Sequence, residues 1–214
     1  MTWFDQTLLH LTADDIRACM PGCPDPSRWA AAFDDAIRWH GTPLDLAMLF
    51  AQVGHESSDL TRLEEGFNYA ASALVPVFGT DRITAAAAAR LGRAPGQRAD
   101  RQAIANDVYG GQWGVKHLGN TAPGDGWRFR GRGPIQITGR ANYAALAKDT
   151  GLNAIGDPDC LMRPEGGALS ALWYWRRRLR VGMSVEEATK AINGGHTGID
   201  DRRARYERCK RALA

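Results

Sequence analysis

A mainly α-helical domain is what this sequence predicts, on three observations. Capped stretches with apolar residues three and four apart recur along the chain, strand signals are weak, and the middle is rich in glycine. Ser27 is placed to cap a helix over 28–40, with Trp29, Phe33, Ile37 and His40 on one face and Gly41 as its stop. Thr42-Pro43 reads as the cap and first-turn proline of a more apolar helix running to about Ser57. That helix lacks a clean polar face before His55 and so belongs at the centre. The alanine run in 84–93 reads as an exposed or lightly packed helix, and 98–109 as another. Between 110 and 137 the glycines permit tight, irregular backbone close to a ligand. Thr138 can cap a helix over 139–150, which Gly151 ends; Pro164 begins one carrying Leu169, Leu172, Trp173 and Trp175. Ser184 and Glu187 fit a capping box, and Asn193-Gly-Gly195 breaks the chain before a last basic helix. With neither repeat nor low-complexity linker, residues 1–214 read as a single domain whose glycine-rich middle forms a cleft or lobe.

Charge and cysteine content narrow the class. The chain has 214 residues, 27 Lys+Arg against 24 Asp+Glu, and a formal charge of +3. Residues 176–214 hold 11 basic and 5 acidic side chains, a net +6, which leaves −3 for residues 1–175. Such an end piece suits an anionic wall or membrane surface, or is a solvated helical face. No aromatic interleaving accompanies it, so nucleic acid is not expected as a partner. The longest apolar stretch, 46–54, is about half of a membrane span. The opening Met1-Thr-Trp-Phe-Asp5 is not the start of a secretory leader. If the protein works outside the cytoplasm, something else must therefore release it. Cys19, Cys23, Cys160 and Cys209 are too scattered for a disulfide framework, and buried thiols are the expectation. No metal or organic cofactor is implied, and a monomer is expected.

Two segments carry chemistry. In the first, His55-Glu56-Ser57 is followed by Glu64-Glu65-Gly-Phe-Asn68-Tyr69. Glu56 ends an apolar helix, where apolar neighbours and the helix dipole both favour the proton-bearing form that a general acid needs. Glu65, nine residues on, could face it across a groove. Glycosidic hydrolysis uses such a pair: roughly 6.5–9.5 Å apart for inversion, roughly 5–5.5 Å for retention. Alone, two glutamates near a helix end are more often surface charges. A zinc-protease reading fails because position 59 is Asp, not the second His. In the second segment, 129–138 with Asn142, glycines let backbone approach a sugar. Gln136, Thr138 and Asn142 offer hydrogen bonds there, and Arg132 could pair with a catalytic carboxylate. Trp113 and Trp127 are candidates for carbohydrate stacking, whereas Trp173, Tyr174 and Trp175 read as core.

Together with Ile104–Gly111, Asp125–Thr138, Ile192–Gly195 and Asp201-Arg202 up to Tyr206, these boxes resemble glycoside hydrolase family 19 over about 28–210. That chitinase family also contains lysozyme-like phage endolysins. The resemblance implies a two-lobed, lysozyme-like helical fold with a central cleft and little or no β-structure. It makes Glu56 the general acid and Glu65 the base of a single inverting displacement, with Glu64 as the fallback base. Asn68, Tyr69, Gln136, Thr138, Asn142, Asn193 and Trp127 would contact sugar. Arg202 would lie near the carboxylates, and His55 would support Glu56 or bind sugar. The nine-residue Glu spacing resembles the phage and bacterial branch, and the missing plant disulfides fit cytoplasmic synthesis; peptidoglycan is the expected substrate and chitin the alternative. A lytic transglycosylase would use one carboxylate without water, and an inactive wall-binding protein would need neither.

Overall fold

A computed structural model describes residues 10–214; the Met1–Asp5 opening lies outside them. Twelve α-helices follow one another there: α1 Ala13–Cys19, α2 Pro26–His40, α3 Leu46–Ser57, α4 Ala71–Phe78, α5 Ala85–Leu91, α6 Arg101–Val108, α7 Gly111–Leu118, α8 Asp125–Arg128, α9 Arg140–Thr150, α10 Pro164–Arg178, α11 Val185–Asn193 and α12 Ile199–Ala212. Among the described residues only isolated β-bridges occur, with no strand, and no helix is long and apolar enough to cross a membrane. The chain forms two compact units. One comprises residues up to Leu63 together with 133–136 and 159–214; the other comprises 64–132 and 137–158.

The first unit is built around α3. From Ala47 to Gly54 every residue of that helix is buried, as a helix apolar on all sides must be. Phe33 of α2 meets Phe50 edge-on at 5.1 Å and Trp29 at 5.7 Å. Helix α10 packs on α2, with Trp173 and Trp175 both buried. Gly167 makes that approach feasible, since a Cβ there would fall 2.7 Å from the Trp29 ring. Cys19, Cys23, Cys160 and Cys209 are all buried free thiols.

The second unit has its own core of Phe67, Leu74, Phe78, Ile104 and Val108. Around Phe67 the rings of Tyr69, Tyr109 and Trp127 lie 5.7–6.4 Å away. Asp125 and Arg140 form a two-pronged pair at 2.6 and 2.7 Å. Burial pushes the Asp125 carboxyl up, but Arg140 and backbone N–H donors outweigh it and hold it below the usual range.

Several helix starts differ from the sequence reading. Asp25, not Ser27, caps α2, with Pro26 at the first helical position. Asp45, not Thr42, caps α3 by accepting from the Met48 N–H at 2.9 Å, which leaves Pro43 in the connection. In each case an aspartate stood within three residues of the chosen cap, and a carboxylate is as good a cap as a hydroxyl. Thr138 does not cap α9; Gly139 occupies that position at φ 91° with no side-chain cap. The glycine-rich middle holds α7 and α8: Gly110, Gly119 and Gly124 lie at their ends, while Gly114 and Gly126 lie inside them, where a Cβ would meet the carbonyls of Tyr109 and Ala105. The capping box at Ser184 and the left-handed stop at Gly151 are as read.

A Gly167→Ala substitution should cost about 2 kcal/mol through overpacking against Trp29, lowering Tm by roughly 4–8 °C. Adding Trp29→Phe, which shortens the opposing ring, should recover part of that loss. Calorimetric melts of both single variants and the double variant check this, and simple additivity would contradict it.

Candidate functional site

In the first unit, Glu56 lies on the last turn of α3, with Gln52 one turn earlier on the same face. The fully buried Arg202 of α12 spans both: one terminal nitrogen is 2.5 Å from Glu56 Oε1 and the other bonds Gln52 Oε1. Its Nε donates to the Thr197 carbonyl at 3.4 Å. That carbonyl also accepts from the Asn193 amide at 3.2 Å, while Asn193 Oδ1 takes the Gly195 N–H. The Asn-Gly-Gly turn thus places the acceptor that orients Arg202. Glu56 is therefore set against a cation, as the resemblance implied for Arg202, although local apolar surroundings alone did not point to one. Its side chain stays 23% exposed, with Oε1 engaged and Oε2 turned to no protein partner among the described residues. Tyr174 lies close enough for the Glu56 charge to help raise its hydroxyl, after burial, the larger cause.

A second ionic chain runs behind the acid. His55 Nδ1 lies 2.7 Å from Asp201 Oδ2, which also accepts from Arg205 Nε at 2.6 Å. The other arm of Arg205 pairs with Asp59, whose Oδ2 takes the Gly22 N–H at 3.2 Å. Burial raises Asp201, but His55 and Arg205 outweigh it and bring its carboxyl down. Gly198, at φ 72°, lies under the His55 ring, where a Cβ would come within 2.2 Å of it. Just beyond Glu56 and Ser57, Ser58, Asp59 and Leu60 are all left-handed, at φ 50°, 58° and 66°. Such residues cost about 1–3 kcal/mol each. Here the Arg205–Asp59 pair, the buried Leu60 side chain and the Leu60 N–H bond to Ser57 Oγ over-determine them. Gln136, also in this unit, is left-handed at φ 53° and donates its amide to the Gly133 carbonyl at 2.9 Å.

In the second unit the two adjacent glutamates are unequal. Glu64 is held by Arg130, whose Nε lies 2.7 Å from its Oε1. Glu65 instead accepts from the Tyr109 hydroxyl at 2.8 Å and from the Gly131 N–H at 3.2 Å. Burial raises the Glu65 carboxyl above its ordinary value, with those two donors opposing less strongly. Tyr109 is itself pushed up by burial and by the Glu65 charge. Arg82 stacks over Trp113 at 3.9 Å and Tyr109 at 5.1 Å. Arg130 covers one face of Trp127 at 3.8 Å. Each candidate stacking tryptophan thus already presents one face to a guanidinium. Arg132 donates to the Arg128 carbonyl and the Tyr143 hydroxyl. Asn142 donates to the Thr138 carbonyl at 2.8 Å and is exposed, as is Asn68, whereas Tyr69 is half-buried. No cluster of three potential metal ligands occurs among the described residues.

No family model matches the chain. A glycosyl hydrolase family 19 domain-containing protein of Haemophilus influenzae is 39% identical over 157 residues, which is 73% of this chain and 74% of that protein. The chain belongs to glycoside hydrolase family 19. A family 19 chitinase of bacterial origin, known from its crystal structure, aligns over 96% of both chains with a TM-score of 0.61 at 19% identity. Chitinase C of Streptomyces griseus aligns over 95% of this chain with a TM-score of 0.58 at 17% identity. The fold is therefore that of family 19 chitinases. An endochitinase of Arabidopsis thaliana is 41% identical over 73 residues, 33% of this chain but only 26% of that protein.

Within this family 19 chain, the structure brings His55, Glu56, Asn193 and Arg202 together in the first unit, where Gln136 also lies. Glu64, Glu65, Asn68, Tyr69, Trp127, Thr138 and Asn142 belong to the second. Gln52, Asp59, Asp201 and Arg205 went unassigned in the sequence. Gln52 carries a signal, being a polar residue one turn before Glu56 on an otherwise apolar helix. The Asp59–Arg205 pair spans 146 residues and carries none.

Replacing Glu65 by Gln should stabilise the protein more at about pH 8 than at about pH 4. A raised folded-state value means that the fold favours the protonated carboxyl. That contribution is complete below the ordinary glutamate value and disappears as pH rises through the folded value, a loss the amide does not suffer. Urea melts at both pH values read the difference. Arg205→Met should destabilise by about 2 kcal/mol, because it leaves Asp59 and Asp201 partly buried without their cation.

Proposed function

We propose that this chain is an inverting glycosidase that hydrolyses the β-1,4 bond between N-acetylated amino sugars, with peptidoglycan as its polymer. The observation that carries the mechanism is the contrast between Glu64, tied to an arginine, and Glu65, desolvated and held only by Tyr109 and a backbone N–H. Raised proton affinity makes Glu65 the stronger base near neutral pH. In this reading Glu65 takes a proton from the water that attacks the anomeric carbon. Glu56 gives its proton to the departing glycosidic oxygen through Oε2, while Oε1 stays on Arg202. Arg202 and Gln52 act as positioning residues, and His55 supports Glu56 through its bond to Asp201. Asn68, Tyr69, Gln136, Thr138, Asn142, Asn193 and Trp127 serve as sugar contacts. One catalytic domain, acting as a monomer on the wall or periplasm after holin-type release, completes the reading. The +6 carried by residues 176–214 suits an anionic polymer.

Chitin is the second reading, favoured by the plant relatives named as endochitinases. Side-by-side digestion of purified peptidoglycan and chitin oligomers, with products identified by mass spectrometry, separates the two. Reducing ends are expected; 1,6-anhydro ends would mean a transglycosylase. Glu56→Gln should lower kcat by at least about 100-fold, the scale of lost general-acid catalysis, with little change in KM. Glu65→Gln should do the same while Glu64→Gln costs far less. Proton NMR of fresh digests should show the α-anomer first, and an initial β-anomer would rule out inversion.

A further inference from the structure

The second unit carries a surface groove of about 980 Å³ whose arginines the proposed chemistry does not use. Its wall includes the side chains of Arg93, Arg98 and Arg101 and no acidic residue. All three arginines are exposed, and none has an ion-pair partner among the described residues. The acid beside them in sequence, Asp100, is engaged in capping α6 at the Ala103 N–H, 3.0 Å away.

The groove is a rigid feature. Arg93 is fixed by its N–H to the Tyr69 carbonyl at 2.8 Å and by its own carbonyl to the Ala71 N–H at 3.0 Å. The turn from Ala94 to Gln97 closes with two reciprocal backbone bonds at 3.1 and 2.9 Å. Gln97 straps it to the end of α5 by donating its amide to the carbonyls of Ala89, Arg90 and Gly92. Arg101 is fixed as the first residue of α6. Three guanidinium groups on one small, firm surface repel each other unless an anion lies between them. Planar forked donors match carboxylates in particular.

Asn68, a sugar contact in the proposed function, also lines this groove. A glycan touching Asn68 therefore passes beside the arginines. Chitin offers them nothing, being uncharged. A peptidoglycan strand carries on every second sugar a peptide stem with free carboxylates. We propose that Arg93, Arg98 and Arg101 form a subsite for those stem carboxylates, and that this subsite selects peptidoglycan over chitin. The inference rests on the reading of Asn68 as a sugar contact and deepens the substrate assignment made above.

The test compares the full chain with the variant Arg93→Gln/Arg98→Gln/Arg101→Gln, whose exposed positions leave the core intact and whose folding is checked by circular dichroism. Three substrates are offered: chitin hexamer, uncross-linked peptidoglycan strands with free stem carboxylates, and the same strands with the stems amidated. The triple variant should lose roughly tenfold in kcat/KM on the free-carboxylate strands, mainly through KM, as expected for three exposed charge contacts. It should change less than about twofold on the other two, and added salt should erase the wild-type preference. Equal losses on all three substrates, or none on the free-carboxylate strands, would overturn the subsite. NMR titration with a free tetrapeptide stem separates this inference from the function it rests on. Arginine-dependent binding by a chain that cleaves no polymer would keep the subsite and sink the glycosidase reading. Loss of stem binding from active wild-type protein would do the reverse. If a polyglycerol phosphate competes and the stem peptide does not, the groove serves wall phosphates and the proposal fails.

Discussion

The orientation of Glu56 in the first unit depends on one buried cation. Arg202 is fully enclosed, and an enclosed guanidinium must have its charge and its donors matched or the fold loses several kcal/mol. Glu56 Oε1, Gln52 Oε1 and the Thr197 carbonyl supply the acceptors, and the Asn193 turn supplies Thr197. The requirement runs in both directions. The fold needs Glu56 to bury the arginine, and the arginine engages Oε1 of Glu56 while Oε2 has no protein partner among the described residues. Stability and aim are then the same constraint, written in three helices: α3, α11 and α12.

The second unit handles its carboxylates differently. Adjacent residues on an extended segment point to opposite sides, so Glu64 and Glu65 meet different surroundings although one peptide bond separates them. Arg130 pairs with the first, while burial desolvates the second. A phenol and one N–H orient Glu65 without adding a positive charge in direct contact. This is how a carboxylate is kept both directed and basic.

How much of this was legible in the sequence varies with the range of the interaction. Helix existence and the centrality of α3 followed from local periodicity, and the boxes around Glu56, Glu65, Gln136, Asn193 and Arg202 identified the family. Cap choice failed at Ser27 and Thr42 because competing aspartates stood two or three residues away, and a local rule ranks such rivals poorly. The glycine-rich middle misled for a related reason: glycine count alone did not distinguish a loop from helix ends and close helix contacts. The partners of Arg205 and the orientation of Arg130 toward Glu64 arise between segments distant in sequence, where a single sequence read alone offers no pattern.

The three left-handed residues behind Glu56 bear on how the protein can be improved. Glycine at Ser58 would relieve the steric penalty of a left-handed backbone, and a thermostability programme that ranks substitutions by strain would select it. Yet that penalty is what confines the chain beyond the acid to one path, and glycine opens many. Selection for melting temperature and selection for turnover should therefore diverge at this position. Variants gained there under heat alone would trade a fixed acid for a looser one.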